Sequence, residues 1–430
     1  MTNAGQKHLS ASLYTVLFVA FIDNLGLGLI YPLFSAMLFD HSLNLVPLGT
    51  TAEIRGIWLG VLIALMPLAQ FFCAPLWGSL SDSQGRKQPL FLSVGVALLG
   101  YLIALGGVAW LNIWCLLLSR LVIGAAAGNM SIVQAAIADL SRQEDKTKNF
   151  GLYSMALGGG FTLGPFFGGL LSALGYHAPF VFAFFLTLLN LIFVAKFFSE
   201  THQMVPCQRK LRLGAGLNHL KKAFHLYGLR TILICSFLHN FGWSYFFEFT
   251  PVYLIARFQF SPMGLGFFYG AAGCFYAIST GLLIRPFSKR LQPEVLFFGG
   301  NSLAAFAILL MPFLPTSQWI WPWMFVICYF VAFVTPSLTA LVSSSVDAEN
   351  QGEALGILSS INAAALVFSP LLSGSFVGAY PALPMKLGGM AMLAASGLIL
   401  VSFRNKTYSI NFKRQAAKTQ RDAGWTPPPL

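Results

Sequence analysis

The sequence predicts an all-α integral membrane protein with twelve transmembrane helices, arranged as two pseudo-symmetric six-helix bundles. Three observations predict this class: an apolar share of 56% against 9% charged residues, apolar runs long enough to cross a bilayer, and weak similarity between the two halves of the chain. An ordinary soluble domain has roughly 25% charged residues. The composition therefore excludes a soluble enzyme, a nucleic-acid-binding protein and a disordered chain.

The apolar runs predict the number of membrane crossings. Each is long enough to cross a hydrocarbon core of about 30 Å at a rise of about 1.5 Å per residue. We number the crossings span one to span twelve, at about 13–39, 56–79, 89–110, 113–137, 148–174, 178–198, 231–255, 262–286, 294–313, 319–343, 350–377 and 385–403. The predicted domains are a cytoplasmic tail at 1–12, a bundle at 13–198, a cytoplasmic loop at 199–230, a bundle at 231–403 and a cytoplasmic tail at 404–430.

The basic residues predict the orientation. With both termini in the cytoplasm, Arg55, Arg257 and Lys386 fall on the opposite side and Arg120 falls inside a span, so 26 minus 4, or 22, of the 26 Lys and Arg residues are cytoplasmic. Cytoplasmic loops of membrane proteins are enriched in these residues. The net charge of +12 therefore indicates topology and contact with anionic lipid, not nucleic-acid binding.

The longest predicted connection joins spans six and seven. In it Leu213, Leu217, Leu220 and Phe224 recur at helical spacing beside basic residues. This pattern is typical of an amphipathic helix on the inner leaflet. A flexible tether between the two halves is the alternative interpretation.

The sequence also lacks patterns of several catalytic and metal-binding classes. Its six cysteines form no C-x-x-C pair, and five lie inside apolar runs, where small buried residues are expected. No H-E-x-x-H, G-x-S-x-G or Walker lysine pattern occurs. We therefore expect no enzyme activity, no cofactor and no metal site.

The two halves of the chain match at offsets of about half its length. The matches are Asp23-Asn24-Leu25-Gly26 with His239-Asn240-Phe241-Gly242 at an offset of 216, Gly60 with Gly266 at 206, and Gly164-Pro165 with Ser369-Pro370 at 205. Such repeats indicate two similar bundles with a ligand site in the cleft between them, near mid-membrane. This architecture is more typical of a transporter than of a channel or an enzyme.

The short connection after span two contains a motif. Residues 78–87 are Gly-Ser-Leu-Ser-Asp-Ser-Gln-Gly-Arg-Lys, a tight turn with a carboxylate that can cap a helix N-terminus and a basic pair at the cytoplasmic lipid face. The segment resembles the cytoplasmic gate motif of the major facilitator superfamily. The defining positions present are Gly78, Asp82, Gly85, Arg86 and Lys87. The resemblance implies the major facilitator fold, with Asp82 capping the start of span eleven, near residues 350–352, when the cleft faces outward.

Three further segments resemble the drug–proton antiporter group of that superfamily, which includes tetracycline-efflux-like members. They are Leu116–Gly128 with the embedded Arg120, Gly160–Gly169 in span five, and Gln351–Ser360 at the start of span eleven. The resemblance implies that Arg120 couples protonation to movement. The alternative is a static partner for backbone carbonyls and Asp23.

Asp23 is the main candidate for proton coupling. It lies about 10 residues into span one and therefore near mid-bilayer, where a carboxylate is costly and a functional role is the default hypothesis. We interpret it as a proton carrier or substrate contact. A structural, hydrogen-bonded role beside Asn24 or a polar group of another span is the alternative. Arg120 lies within about 5 Å of the same depth, so we expect the two to interact.

Span seven contains two further ionisable candidates. Glu248 lies about 17 residues into the span, near its predicted outer boundary. We interpret it as a proton entry point or a cation contact, and a hydrated interfacial carboxylate is the alternative. His239 lies near mid-depth and could titrate in the physiological range, although we favour a neutral His in a helix interface. We also include Gln70 and Asn240 as candidates to line the cleft.

Span five contains a stripe of small residues. Gly160, Gly164 and Gly168 repeat every four residues, next to Pro165 and Gly169. Small residues let membrane helices approach closely, and the proline bends the span because it removes a backbone hydrogen bond. We expect a tight seam between the halves without direct substrate contact.

The sequence therefore predicts a secondary transporter of the inner (plasma) membrane. Its expected activity is proton-coupled efflux of small amphipathic organic molecules by alternating access. The alternative is proton-coupled uptake of a metabolite or siderophore on the same fold. The expected partners are the small-molecule substrate, protons and membrane lipid, and the protein is expected to be monomeric.

Overall fold

The computed structural model describes residues 3–40, 42–47, 49–141, 145–201, 227–288, 290–345 and 351–422, and these form helices without a β-strand. Spans one to six are Asn3–Phe39, Ala52–Gln84, Lys87–Ala109, Ile113–Ala127 with Met130–Leu140, Lys146–Ser172 and His177–Phe197. Spans seven to twelve are Tyr227–Phe258, Pro262–Ile278, Pro293–Leu310, Ile320–Val331 with Val334–Ser344, Gln351–Val377 and Leu383–Asp422. Span eight continues through a π-helical turn, Ser279–Leu283, into Arg285–Ser288.

The predicted fold class is confirmed. Eleven helices in the described residues are long and apolar enough to cross a membrane. The helix Tyr227–Phe258 has 32 residues but is not among the eleven, because His239, Asn240 and Glu248 interrupt its apolar sequence. A helix of that length is long enough to cross a bilayer, so the polar residues lower its mean hydropathy without shortening the helix.

Three helix ends differ from the predicted domain boundaries. The first helix begins at Asn3, inside the predicted tail, and the last continues to Asp422, well beyond residue 403. Span seven begins at Tyr227, inside the predicted loop. Hydropathy marks where the chain leaves the bilayer, whereas a helix can continue into water with its backbone hydrogen bonds intact. The predicted amphipathic segment at 213–224 lies outside the described residues.

Spans four and ten are both interrupted. Span four breaks between Ala127 and Met130, and span ten breaks between Val331 and Val334. The two breaks are 204 residues apart when counted from Ala127 to Val331. This spacing agrees with the repeat offset of 205 seen in the sequence, so each half contains a broken helix at the equivalent place.

The apolar cores show where the halves meet. We call the end that contains residues 52–60 and 262–270 the outer end, and the end that contains residues 78–87 the inner end. At the outer end, Phe249 and Val252 of span seven and Val377 of span eleven join the core of the first half. The core clusters around Ile132 and around Leu341 are each built from one half. The halves therefore share their core at the outer end.

Candidate functional site

Asp23 lies at the centre of a hydrogen-bonded site within the first half. Its Oδ2 accepts a hydrogen bond from Asn129 Nδ2 at 2.9 Å, and its Oδ1 accepts one from Asn190 Nδ2 at 3.1 Å. Asn129 occupies the break in span four, and Asn190 is buried within span six. In the described part of the chain, no Lys, Arg or His forms an ion pair with Asp23. Two neutral amides therefore hold its carboxylate.

The break in span four explains how Asn129 reaches Asp23. Gly128 and Asn129 interrupt the helix, and the Gly128 carbonyl accepts hydrogen bonds from the Ser131 amide and hydroxyl. Gln70 of span two donates to the Ala127 carbonyl at 3.2 Å, so a second predicted residue lies at the same break. A Gly-Asn pair within an apolar run is a turn signal that would have identified this position.

Arg120 lies elsewhere, against span two and the outer core. It is 2% exposed, its Nε donates to the Leu62 carbonyl at 3.3 Å, and its guanidinium carbon lies 5.2 Å from the Phe34 ring centroid. Its Nη2 also lies 3.0 Å from Met66 Sδ. The predicted interaction with Asp23 is not formed, because similar depth in the membrane does not make two helix faces point at each other.

Arg120 interacts instead with a group that joins the two halves. Its electrostatic partners are Tyr31, Tyr101 and Glu248, which lie on spans one, three and seven. The Glu248 side chain is 6% exposed, and Ser244 and Tyr31 lie within hydrogen-bonding reach of its carboxyl group. Of the interpretations of Glu248, the hydrated interfacial carboxylate is therefore wrong, whereas a proton entry point or a cation contact stays a prediction. We call these residues, Arg120, Glu248, Tyr31 and Tyr101, the Arg120–Glu248 cluster.

His239 is enclosed in the second half. Its Nδ1 lies 2.7 Å from Asn301 Oδ1, and Asn301 Nδ2 donates to the Met392 carbonyl at 2.6 Å and to Ser396 Oγ at 2.9 Å. Because the Met392 carbonyl can only accept, the amide nitrogen of Asn301 must face it; Asn301 therefore presents oxygen to the ring, and His239 Nδ1 is the donor. The side chain is 2% exposed, which supports the interface role favoured from the sequence.

Asn24 and Asn240 occupy equivalent positions in spans one and seven, and both are half-buried. Asn24 Nδ2 donates to the Ala20 carbonyl at 3.0 Å in its own helix. Asn240 Nδ2 donates to Asn362 Oδ1 of span eleven at 3.0 Å, and Ser236 Oγ donates to the same oxygen at 2.7 Å. Asn240 therefore links two spans of the second half, whereas Asn24 makes a local bond.

The gate motif forms an ion-pair network within the first half. Arg86 Nη1 lies 2.6 Å from Asp82 Oδ1, and Arg86 Nε lies 3.0 Å from Asp139 Oδ2. Partial burial lowers the pKa of Arg86, but its hydrogen bonds and charge interactions with both carboxylates outweigh that effect and raise the pKa above its usual value. The predicted contact of Asp82 with residues 350–352 falls on side chains outside the described residues.

Glu200 completes the motif, although it lies after span six. Its Oε1 accepts from the Arg86 amide at 2.7 Å and its Oε2 from the Lys87 amide at 3.0 Å, so it caps the first turn of span three. Gly85 has φ 87°, and a Cβ there would lie 2.5 Å from Glu200 Oε2. Position 85 of this turn thus needs glycine for two reasons, its backbone angle and the space for the carboxylate. By contrast, a Cβ at Gly78 would meet Ser131 Oγ at 3.6 Å, which is ordinary contact.

The glycine stripe of span five does not form the seam that we expected. A Cβ on Gly160, Gly164 or Gly168 would meet the backbone of span one, in the same half. The seam to span eight uses another face of the helix, where a Cβ on Gly169 would lie 2.6 Å from Gly266 Cα. A period of 3.6 residues places Gly169 about 100° from Gly168, so adjacent glycines serve different neighbours.

A second seam, between span two and span eleven, repeats the contact between span five and span eight. A Cβ on Gly266 would meet the Pro165 carbonyl at 2.6 Å, and a Cβ on Gly60 of span two would meet the Pro370 carbonyl. Pro165 and Pro370 are 205 residues apart, and both glycines come from the matches found in the sequence. Two related seams, span five with span eight and span two with span eleven, therefore close the outer end.

Farther inward, spans five and eight have open surroundings. A Cβ on Gly151 or Gly158 of span five, or on Gly281 of span eight, would meet no atom of the described residues within 4 Å. The described residues of these spans thus contact each other at the outer end and present open glycines toward the inner end.

Several residues of the site were not predicted. These residues are Asn129, Asn190, Asp139 and Glu200. Asn190 is a polar residue within the apolar span six, a signal that identifies functional candidates in membranes. Asp139 and Glu200 lie at the predicted inner ends of spans four and six, and only the fold shows that both approach Arg86.

Known proteins are similar to this chain in sequence over most of their length. The tetracycline resistance protein, class C, of Escherichia coli is 27% identical over 392 residues, covering 91% of this chain and 95% of that protein. The quinolone resistance protein NorA of Staphylococcus aureus is 26% identical over 403 residues, covering 93% and 98%.

Solved structures show the same fold. The human organic anion transporter MFSD10 superposes with a TM-score of 0.68 at 22% identity, covering 91% of this chain and 99% of that chain. A D-xylose-proton symporter gives a TM-score of 0.70 at 16% identity, covering 90% and 97%. The family model described as Major Facilitator Superfamily matches residues 16–370. The paired broken spans, the two glycine seams and this match lead to one conclusion: the chain belongs to the Major Facilitator Superfamily.

Proposed function

We propose that this protein exports small amphipathic organic molecules across the inner (plasma) membrane in exchange for protons, and that both of its termini are cytoplasmic. The observation that supports this most strongly is the end-to-end similarity to tetracycline and quinolone resistance proteins, at 27% and 26% identity over more than 90% of the chain. Transporters with internal repeats bind their substrate near mid-membrane, between the halves.

In the proposed cycle, the outer end is closed by the two glycine seams and the Arg120–Glu248 cluster, while the substrate enters from the inner end. Rocking of the 13–198 bundle against the 231–403 bundle would separate Glu248 from Arg120, because the two residues belong to different bundles. The inner end would then close, and Asp82 would exchange its contact with Arg86 for one at the start of span eleven. Protonation and substrate binding at the cleft would alternate.

Asp23 is the proposed proton carrier of this cycle. Its carboxyl group has no cationic partner in the described residues and is held by amides, so no salt bridge has to break when the proton binds. Glu248 is the second candidate, since its carboxyl is buried beside Arg120 and Tyr31. The remaining candidates, Asn24, Gln70, His239 and Asn240, would shape or support the cleft.

Uptake by symport is the alternative function on the same fold. A D-xylose-proton symporter and this chain share the fold at 16% identity, which supports neither direction of transport. The two functions differ in the relative direction of movement. Protons and substrate move in opposite directions in exchange and in the same direction in symport.

Purified protein in proteoliposomes with an acidic lumen tests the proposal. For an exporter, a tetracycline or fluoroquinolone added outside is expected to accumulate inside while the lumen becomes more alkaline. Asp23→Asn is expected to abolish this gradient-driven accumulation and to retain substrate binding. Movement of substrate and protons in the same direction would establish symport. Wild-type pH dependence in Asp23→Asn would show that another group carries the proton, and Glu248→Gln would be tested next.

A further inference from the structure

We propose that Asn129 and Asn190 are positioning residues that hold Asp23 in both its ionised and its neutral form, because one of their amide groups can turn over when the proton arrives. The proposal rests on the proposed proton exchange and specifies how the carrier site accommodates the proton. It assigns a role to two residues that the sequence did not single out.

The geometry leaves one atom of each amide unused. Asn129 is 1% exposed and Asn190 is 0% exposed, so both side chains are shielded from water. Each donates through Nδ2 to Asp23, while the Oδ1 atom of each is buried without a hydrogen-bond partner in the described residues. Buried polar atoms in proteins are normally paired, so two orphaned oxygens around one carboxylate require an explanation.

The hydrogen-bond donors and acceptors of the ionised and the neutral carboxyl group explain these two oxygens. An ionised carboxylate only accepts hydrogen bonds, so both amides must present their NH2 groups to it. A neutral carboxyl group has one O–H donor, which would face an NH2 donor in the same arrangement. If one amide turns by about 180°, its Oδ1 accepts from this O–H and its NH2 occupies the former position of the oxygen. The number of unpaired amide groups is then unchanged, and no other hydrogen bond is broken.

The second half of the molecule provides an internal comparison. Asn301, the partner of His239, donates through Nδ2 to the Met392 carbonyl and to Ser396 Oγ, while its Oδ1 faces His239. Turning this amide would place its oxygen against the Met392 carbonyl, which cannot donate, so the amide is fixed in one orientation. Within the described ranges, Asn129 and Asn190 make no hydrogen bond of this kind besides those to Asp23, and this difference separates an amide that can turn from one that only supports a neighbour.

The surroundings of Asp23 add one other titratable group. Tyr101 of span three interacts electrostatically with Asp23 and also with Arg120. Spans four and six present the amides of Asn129 and Asn190. In the described residues no Lys, Arg or His lies within ion-pair distance of Asp23 from any packed span, and the interactions of Glu248 are with Ser244, Tyr31, Arg120 and Tyr269. The two amides are therefore the direct hydrogen-bonding partners of the proton-binding group.

Infrared difference spectroscopy on the full-length protein tests the proposal without a substrate. The carboxylic C=O band of Asp23 is assigned by its loss in Asp23→Asn and followed against pH. In Asn190→Leu and Asn129→Leu the ionised form loses a donor, and the titration midpoint is expected to move upward by about one pH unit or more. Asn190→Thr, whose hydroxyl can donate or accept, is expected to restore part of the shift.

The matched control is Thr187→Val, which removes a hydroxyl one turn away in span six. Thr187 Oγ1 donates to the Ala183 carbonyl at 2.8 Å and does not bond Asp23. The titration midpoint of Asp23 in Thr187→Val is therefore expected to equal that of wild type. If the leucine variants do not fold, wild-type protein with isotope-labelled asparagine provides a second measurement. Its side-chain amide bands are expected to change with pH, and not to change in this way in Asp23→Asn.

Unchanged midpoints in both leucine variants, or amide bands in wild type that do not respond to pH, would overturn the proposal. Either result can occur while proton-driven export persists, so it would leave the proposed function intact. Conversely, a protein that moves no substrate against protons would refute the proposed function, whereas the midpoints would still report on the two amides.

Discussion

Gly169 of span five and Gly266 of span eight bring the backbones of the two halves into contact at the outer end. A Cβ on Gly169 would lie 2.6 Å from Gly266 Cα, closer than side-chain carbons approach a backbone. Gly374 repeats the arrangement on span eleven, where a Cβ would lie 2.7 Å from the Gly56 carbonyl. Small residues permit this approach, and the closed outer end depends on both seams.

Gly169→Ala is therefore expected to disfavour the conformation with a closed outer end. Overpacking of this kind costs about 1–3 kcal/mol, enough to shift a two-state equilibrium several-fold or more. Leu174 and Tyr380 are exposed at the outer ends of the two halves. Double electron–electron resonance between spin labels at these positions is expected to give a longer distance in the variant than in wild type. Gly158→Ala on the same helix is the control, because its Cβ meets no atom within 4 Å in the part of the chain that the structure describes. Equal distances in both variants would contradict a closing role for the seam.

The Arg120–Glu248 cluster predicts energetic coupling between the halves. Glu248→Gln leaves the buried Arg120 without its nearby carboxylate, and Arg120→Gln leaves Glu248 without its cation. Each single variant is expected to lower the thermal unfolding midpoint, and the double variant is expected to lower it by less than the sum. A coupling of about 0.5–3 kcal/mol is typical of interacting neighbours. Strictly additive effects in this four-protein cycle would show that the two residues do not interact.

Glu200 is expected to stabilise the gate motif through the N-terminus of span three. Glu200→Ala removes the acceptor of the Arg86 and Lys87 amides, and loss of a helix cap costs about 0.5–2 kcal/mol. Gly85→Ala is expected to be at least as destabilising, since its Cβ would collide with the same carboxylate. Thermal unfolding in detergent measures both effects. Gly95→Ala in span three, where a Cβ meets nothing within 4 Å among the residues described, should unfold like wild type.

The proposed orientation can be tested with fused reporters. Reporters placed after Asn112 and after Trp319 are expected to be periplasmic, and one placed after Arg212 is expected to be cytoplasmic, because 22 of the 26 basic residues would otherwise face outward. Activity of a cytoplasmic reporter after Asn112 would invert the assignment of the inner and outer ends. The residue contacts described here would be unaffected by that result.

The spans and the gate motif were predictable from the sequence, because each depends on residues that are close together along the chain. The repeat was predictable because matching residues recur at nearly constant offsets in the two halves. A bilayer requires long apolar helices with internally satisfied backbones, so hydropathy locates most of them, although the polar residues of span seven lower its hydropathy. The residues matched at offsets of 205 and 206 also make equivalent contacts in the structure. Gly60 packs against Pro370, and Gly266 packs against Pro165.

Only the tertiary structure decided which side chains meet. Position along a helix determines the depth of Asp23 and Arg120 but not the direction in which each side chain points, and these directions put Asp23 beside two amides and Arg120 beside Glu248. Adjacent glycines of span five likewise face different spans. A helix turns by about 100° per residue, so its partners depend on how it is rotated and packed against helices far away in the chain.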